Sequence, residues 1–155
     1  MSGWPWLADD LAPEQRVALL ERHIEAQGWR IATKAGRLSW ANPFTRTIAL
    51  SAVERTTLER AAVLAHEATH LRQWGGPWWR RWSRAALYFL SRRRRLDMEI
   101  EARGQEAAVW LVAQGHVEIE PRALAGWRWP YFTGASAAEV CRRIDDAASL
   151  ALRGS

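Results

Sequence analysis

The spacing of apolar residues changes along the chain, and each change marks a new element. Between Pro13 and Gln27, the apolar residues Val17, Leu20 and Ile24 recur at helical spacing. Asp9 and Asp10 stand ahead of this segment, Pro13 opens it and Gly28 follows it, which predicts a helix over Pro13 to Gln27. The period then falls to two. Trp29, Ile31 and Thr33 alternate with polar neighbours, and Leu38 and Trp40 alternate again after a turn around Ala35 and Gly36. That pattern predicts a hairpin. In "FTRTIALS" Phe44, Ile48 and Leu50 share one parity and predict a third strand.

Beyond Leu50 the helical period returns. Ser51 with Glu54 three residues on is a capping-box pattern, and the predicted helix runs through Leu58, Ala62, Val63 and Leu71 to a stop at Gly75-Gly76-Pro77. Trp78 to Leu90 reads as another helix, and Asp97 to Ala113 as a further one that ends near Gly115. Gly126 to Gly134, "GWRWPYFTG", reads as an aromatic loop. Ser136 with Glu139 repeats the capping pattern and opens a last helix to about Leu152. One helix, a small antiparallel sheet of about three strands and then several helices make an α+β arrangement. No repeat or low-complexity linker divides the 155 residues, so one domain is expected over 1–155.

Composition narrows the chemistry. With 48% apolar and 25% charged residues the chain is of globular type. Cys141 is the sole cysteine, so an internal disulfide and cysteine-rich zinc sites are excluded, and any metal must be held by histidine and carboxylate. "MSGWPWLADD" has no basic segment followed by an apolar one, and no apolar run approaches the roughly 18 residues that span a bilayer. The expectation is a cytoplasmic protein, with a peripheral membrane role left open by the charge pattern described below.

The segment "VLAHEATHLRQW" falls in mid-helix. His66 and His70, four residues apart, lie one turn apart on the same face and can aim their imidazoles at one ion. Glu67 is offset by one residue and sits beside such an ion, where it can take a proton from water polarised there. Chance produces this pattern in roughly one chain in two hundred of this length, so it outweighs the reading of two packed histidines. Zinc needs a third protein ligand. "RLDMEIEARGQEA" offers Asp97, Glu99, Glu101 and Glu106. Glu99 shares a helical face with Leu96, Ala102 and Glu106, near Trp110, whereas Glu101 shares one with Asp97, Gly104 and Gln105 that reads as solvated. Facing therefore favours Glu99, with Glu101 as the alternative.

"HEATH" followed by "EIEA" on a later helix resembles the compact gluzincin metallopeptidases, among them the ImmA/IrrE-type peptidases and the integral-membrane CAAX-processing and heat-shock proteases. The likeness covers about Thr45 to Leu111 and rests on those two motifs. It implies a zincin-like helical core, Zn2+ as cofactor, and hydrolysis of a peptide or protein substrate. Glu99, the first residue of an E-x-x-A motif, is then the third ligand beside His66 and His70, and Glu67 is the catalytic base. It also implies that the strand over Thr45 to Leu50 pairs with extended substrate. In these families Asp or Asn usually follows the motif's alanine. Here Arg103 does, which leaves the partner of a ligand imidazole unassigned and motivates an alternative, a zinc-stabilised binding module without hydrolysis. Tyr131 and His116 are the polar downstream candidates for an oxyanion stabiliser.

Charge is uneven. The net charge is +5, and no acid occurs between Glu67 and Asp97. Trp78, Trp82, Ala85 and Phe89 form one stripe of the predicted helix there, with Trp79 nearby and Arg80, Arg81 and Arg84 on the other side. Arg92, Arg93, Arg94 and Arg95 follow. Such a helix either packs its stripe on the core or lies on an anionic membrane surface, where each arginine adds about 1 kcal/mol. The same charges would suit a nucleic-acid backbone, but no nucleic-acid-binding motif accompanies them. His23 has no carboxylate at ligand spacing and reads as a surface or core residue. Cys141, near Val140 and Ile144, reads as buried packing.

Overall fold

The computed structural model describes residues 4–35, 39–52, 56–116 and 135–154. The elements run in the order of a short 3-10 turn (Pro5–Leu7), α1 (Pro13–Ala26), β1 (Arg30–Lys34), β2 (Trp40–Asn42), β3 (Thr47–Ser51), α2 (Thr57–Gln73), α3 (Trp78–Leu90), α4 (Arg92–Gln114) and α5 (Ala137–Arg153). The architecture is α+β, as the pattern of apolar positions predicts. The turn at Gly36, Leu38, the second half of the Ser51–Glu54 pattern, the loop from Gly126 to Gly134 and Tyr131 lie outside the described residues.

The sheet differs from the expected antiparallel one. Its order is β1-β3-β2, with β1 parallel to β3 and β2 antiparallel to it. The hairpin therefore joins β2 to β3 rather than β1 to β2. The reason is local. Asn42 Oδ1 accepts hydrogen bonds from the Phe44 and Thr45 N–H groups, an Asx turn that reverses the chain directly after β2. Arg46 completes the reversal in the left-handed region at φ 50°.

The start of α2 also differs. Ser51 is the last residue of β3, and the helix is capped instead by Thr56, whose Oγ1 accepts from Glu59 N–H while Glu59 Oε2 accepts from Thr56 N–H. Between Ala61 and Leu71 every residue of α2 except Val63 is buried. A helix covered on nearly all sides is the centre of a core rather than its margin. α1 packs on one side of it with Leu20 and Ile24, α4 on another with Ile100 and Val109, and β3 contributes Ile48 and Leu50. α4 begins at Arg92, five residues before the expected start, capped by Ser91 Oγ, and ends at Gly115 in the left-handed conformation.

α5 packs along α4 through Val140, Ile144 and Ala148. A Cβ on Gly104 would lie 2.5 Å from that of Ala147. The face of α4 carrying Gly104 and Gln105, read from sequence as solvated, is therefore covered. Cys141 is only partly buried. His23 is half-buried, its ring edge-on to Trp6 at 4.9 Å.

Candidate metal centre

α2 and α4 cross at the site. His66 and His70 stand one turn apart on the buried length of α2, and Glu99 faces them from α4. Glu99 Oε2 lies 3.5 Å from His66 Nε2, and Glu99 Oε1 lies 3.6 Å from His70 Nε2. One ligand atom from each of the three residues falls within 4.8 Å of the others. Ligand atoms bound tetrahedrally to zinc at 2.0–2.1 Å are about 3.4 Å apart, so the spacing and the donor set fit that ion.

A hydrogen bond orients the His70 imidazole from behind, whereas His66 Nδ1 faces a carboxylate without a hydrogen bond to it. Gln73 Nε2 donates to Met98 O at 2.8 Å and to Glu101 Oε2 at 2.7 Å, which fixes its amide and leaves Oε1 as acceptor. That oxygen is 2.8 Å from His70 Nδ1, so Nδ1 carries the proton and the Nε2 lone pair points to Glu99 and the cavity. On the other ring, Glu106 Oε2 lies 3.3 Å from His66 Nδ1, and Arg103 Nη1 donates to that same oxygen at 2.6 Å. Arg103, the departure from the motif, reaches forward one turn to the carboxylate that faces the ring. Tyr88 of α3 donates to Glu99 Oε1 at 2.5 Å, and Trp74 stacks on His70 at 5.2 Å.

These contacts set the charges. Burial opposes a charged His66, but Glu106 and then Glu99 outweigh it and raise its pKa to about 9. Burial likewise opposes ionisation of Glu99, yet the imidazoles of His66 and His70 beside it hold its carboxyl well below the usual range. Burial pushes Glu67 up, against the pull of His66 and His70. Glu67 is almost fully enclosed, and its Oε2 has no hydrogen-bond partner among the described residues. An orphaned buried carboxylate oxygen beside a His-His-Glu cluster fits a proton acceptor for water bound there.

The residues expected from sequence sort clearly. His66, Glu67, His70 and Glu99 converge on one cavity of about 500 Å³, which Trp40, Phe89 and Arg103 also line. Glu101 does not join them: it pairs with Arg72 and Gln73 on a half-exposed side. His116 is exposed beyond the end of α4, outside the cavity lining. β3 is not an open edge for substrate, because β1 and β2 occupy its two sides. The outer strands at the cavity are β2, through Trp40 and Ala41, and the end of β1, through Lys34. Gln73 and Tyr88 are additions to the sequence reading, and Glu106, offered there among the possible ligands, instead stands behind His66. Only Glu106 had a signal, its place two turns along the Glu99 face.

Comparisons of the chain with protein-family models, with curated proteins and with solved structures return no match.

Proposed function

We propose that the protein is a zinc-dependent metallopeptidase. The observation that carries this reading is the convergence of His66, His70 and Glu99 around one point, with the orphaned carboxylate of Glu67 beside it. His66 Nε2, His70 Nε2 and one Glu99 oxygen would hold the ion. When bound, zinc would supply a Lewis acid for the scissile carbonyl and lower the pKa of water at the site.

The chain's own groups do the rest. Glu67, whose pKa burial raises, accepts a proton from the attacking water and delivers it to the amine nitrogen as the peptide bond breaks. Gln73 holds the His70 imidazole in place during that transfer, Glu106 sets negative charge behind His66, and Tyr88 holds Glu99. An extended peptide can pair along β2, whose Trp40 and Ala41 border the cavity. The test is Glu67→Gln. It should retain about one zinc per chain and lose hydrolysis of a peptide library by about a hundredfold or more. Undiminished cleavage would refute the mechanism. Zinc in both proteins with cleavage in neither would favour the binding module.

A further inference from the structure

α3 packs against the molecule through one narrow face. Ala85 is buried and Tyr88 half-buried, while Arg84 ties the helix to the end of α2 by donating to Gln73 O and Gly75 O. The large apolar side chains point elsewhere. Trp78 is 70% exposed, Trp82 57%, Phe89 59% and Leu90 84%, and Trp79 is exposed with them. At 100° per residue these five fall within one arc of about 120° on α3. The aromatic members of the stripe, Trp78, Trp82 and Phe89, therefore face outward, and only its Ala85 packs inward. Phe44, itself exposed, touches Trp82 at 4.5 Å between ring centroids and carries the patch across to the β2–β3 turn, and exposed Trp40 of β2 lines the same cavity as Phe89. Soluble monomers rarely leave so many contiguous aromatic residues uncovered without a partner.

Charge identifies the partner. α3 contains no acid, exposed Arg80 lies on the helix beside the aromatic arc, and exposed Arg92, Arg93 and Arg94 follow directly after its end. Arg81 lies near enough to Arg46 for the two guanidinium groups to repel. A second copy of this chain would place arginine against arginine. A nucleic-acid backbone would match the arginines but leave Leu90 and Phe89 without apolar cover. A phospholipid surface meets both demands, with aromatic rings seated at the headgroup level and arginines on lipid phosphates.

We infer that the outer face of α3, continued by Phe44 and Trp40, docks the protein on an anionic phospholipid bilayer surface. No described helix is long and apolar enough to cross a membrane, so the contact is with the surface. Trp40 and Phe89 belong both to this patch and to the lining of the His66–Glu67 cavity, so docking holds the cavity mouth at the bilayer. If the metallopeptidase reading holds, the substrate is a membrane-adjacent polypeptide.

The experiment is co-sedimentation of the full chain with vesicles of phosphatidylcholine containing 30% phosphatidylserine, and with pure phosphatidylcholine vesicles, at low and at physiological salt. Binding to the anionic vesicles should exceed binding to the neutral ones at least tenfold and weaken with salt. Trp82→Glu with Leu90→Glu should reduce it at least tenfold, and Arg92→Gln, Arg93→Gln and Arg94→Gln together should remove most of the preference for anionic lipid. Circular dichroism of each variant checks that it is folded. Glu67→Gln should bind vesicles like the original chain, which separates this inference from the hydrolytic one. Absence of binding at low salt overturns the inference. So does a dimer abolished by Trp82→Glu, which would give the face to a second copy, and so does binding of an RNA oligonucleotide without vesicle binding.

Discussion

Glu106 stands 3.3 Å behind the Nδ1 atom of His66 and is itself held by Arg103. A carboxylate in that place orients the ring and makes its other nitrogen a better donor, and such partners typically change metal affinity by about 10- to 100-fold. Glu106→Gln is therefore expected to weaken zinc binding by about that factor while the fold persists. Competition with a chromophoric chelator measures it. An unchanged affinity would mean that Glu106 merely fills space.

The two glutamates of "EIEA" should separate by metal content. Glu99→Ala removes the carboxylate between the imidazoles and should drop zinc well below one per chain. Glu101→Ala removes a group that touches Gln73 and Arg72, and should leave about one zinc per chain bound with modestly lower affinity. Mass spectrometry of the purified proteins reads both. Equal loss in the two would unseat Glu99.

Without metal, stability should fall from about pH 6.5 to about pH 9. The His66 pKa rises from 6.5 in the unfolded chain to about 9 in the folded one, so protonation favours the fold. The contribution is complete below 6.5 and is lost as pH rises through 9. Glu67, also raised, acts with the same sign from lower pH. Glu99 and Glu106, both lowered, stabilise above the ordinary glutamate range and lose that effect only in acid. Zinc bound there would replace the proton on His66, so the metal-loaded protein should be flatter across the same range. Thermal melts of the two forms at several pH values give the comparison; parallel curves would contradict it.

Gly104→Ala should destabilise, although alanine is the better helix former by about 1 kcal/mol. The added Cβ would come within 2.9 Å of the Ala147 carbonyl carbon as well as 2.5 Å of its Cβ. Backbone on α5 cannot give way as a flexible side chain can, so α4 and α5 must separate, at a cost of about 1–3 kcal/mol. At this size that lowers Tm by roughly 2–10 °C. A rise in Tm would show that the helices have slack.

Arg16 is fully buried on α1 and donates to Trp6 O at 2.5 Å and Ala8 O at 2.9 Å. It fastens the N-terminal 3-10 turn, and with it Trp6 and Leu7, to the core. Arg16→Met keeps the length and removes both donors, which should cost about 2–4 kcal/mol. Denaturant unfolding should show it as a lower midpoint. A loss under about 0.5 kcal/mol would mean that water replaces the guanidinium.

Periodicity and punctuation sufficed for the helices and for the α+β class, because those signals act within a few residues of one another. The i, i+4 spacing placed His66 and His70 on one face, and helical projection turned Glu99 inward. Long-range pairing was out of reach. Whether β1 or β2 pairs with β3 depends on how the chain crosses the sheet, and alternation reads the same either way; the Asx turn at Asn42 decides it. The face of Gly104 and Gln105 looked solvated because its cover, α5, lies more than thirty residues downstream. Gln73, Tyr88 and Glu106 carry no motif, and only the crossing of α2, α3 and α4 brings them to the ligand cluster. The α3 stripe could equally have faced in or out, since amphipathicity fixes which residues share a face but not what meets that face. Local chemistry is thus written in short spacings, while pairing, cover and orientation are settled by contacts between segments far apart in the chain.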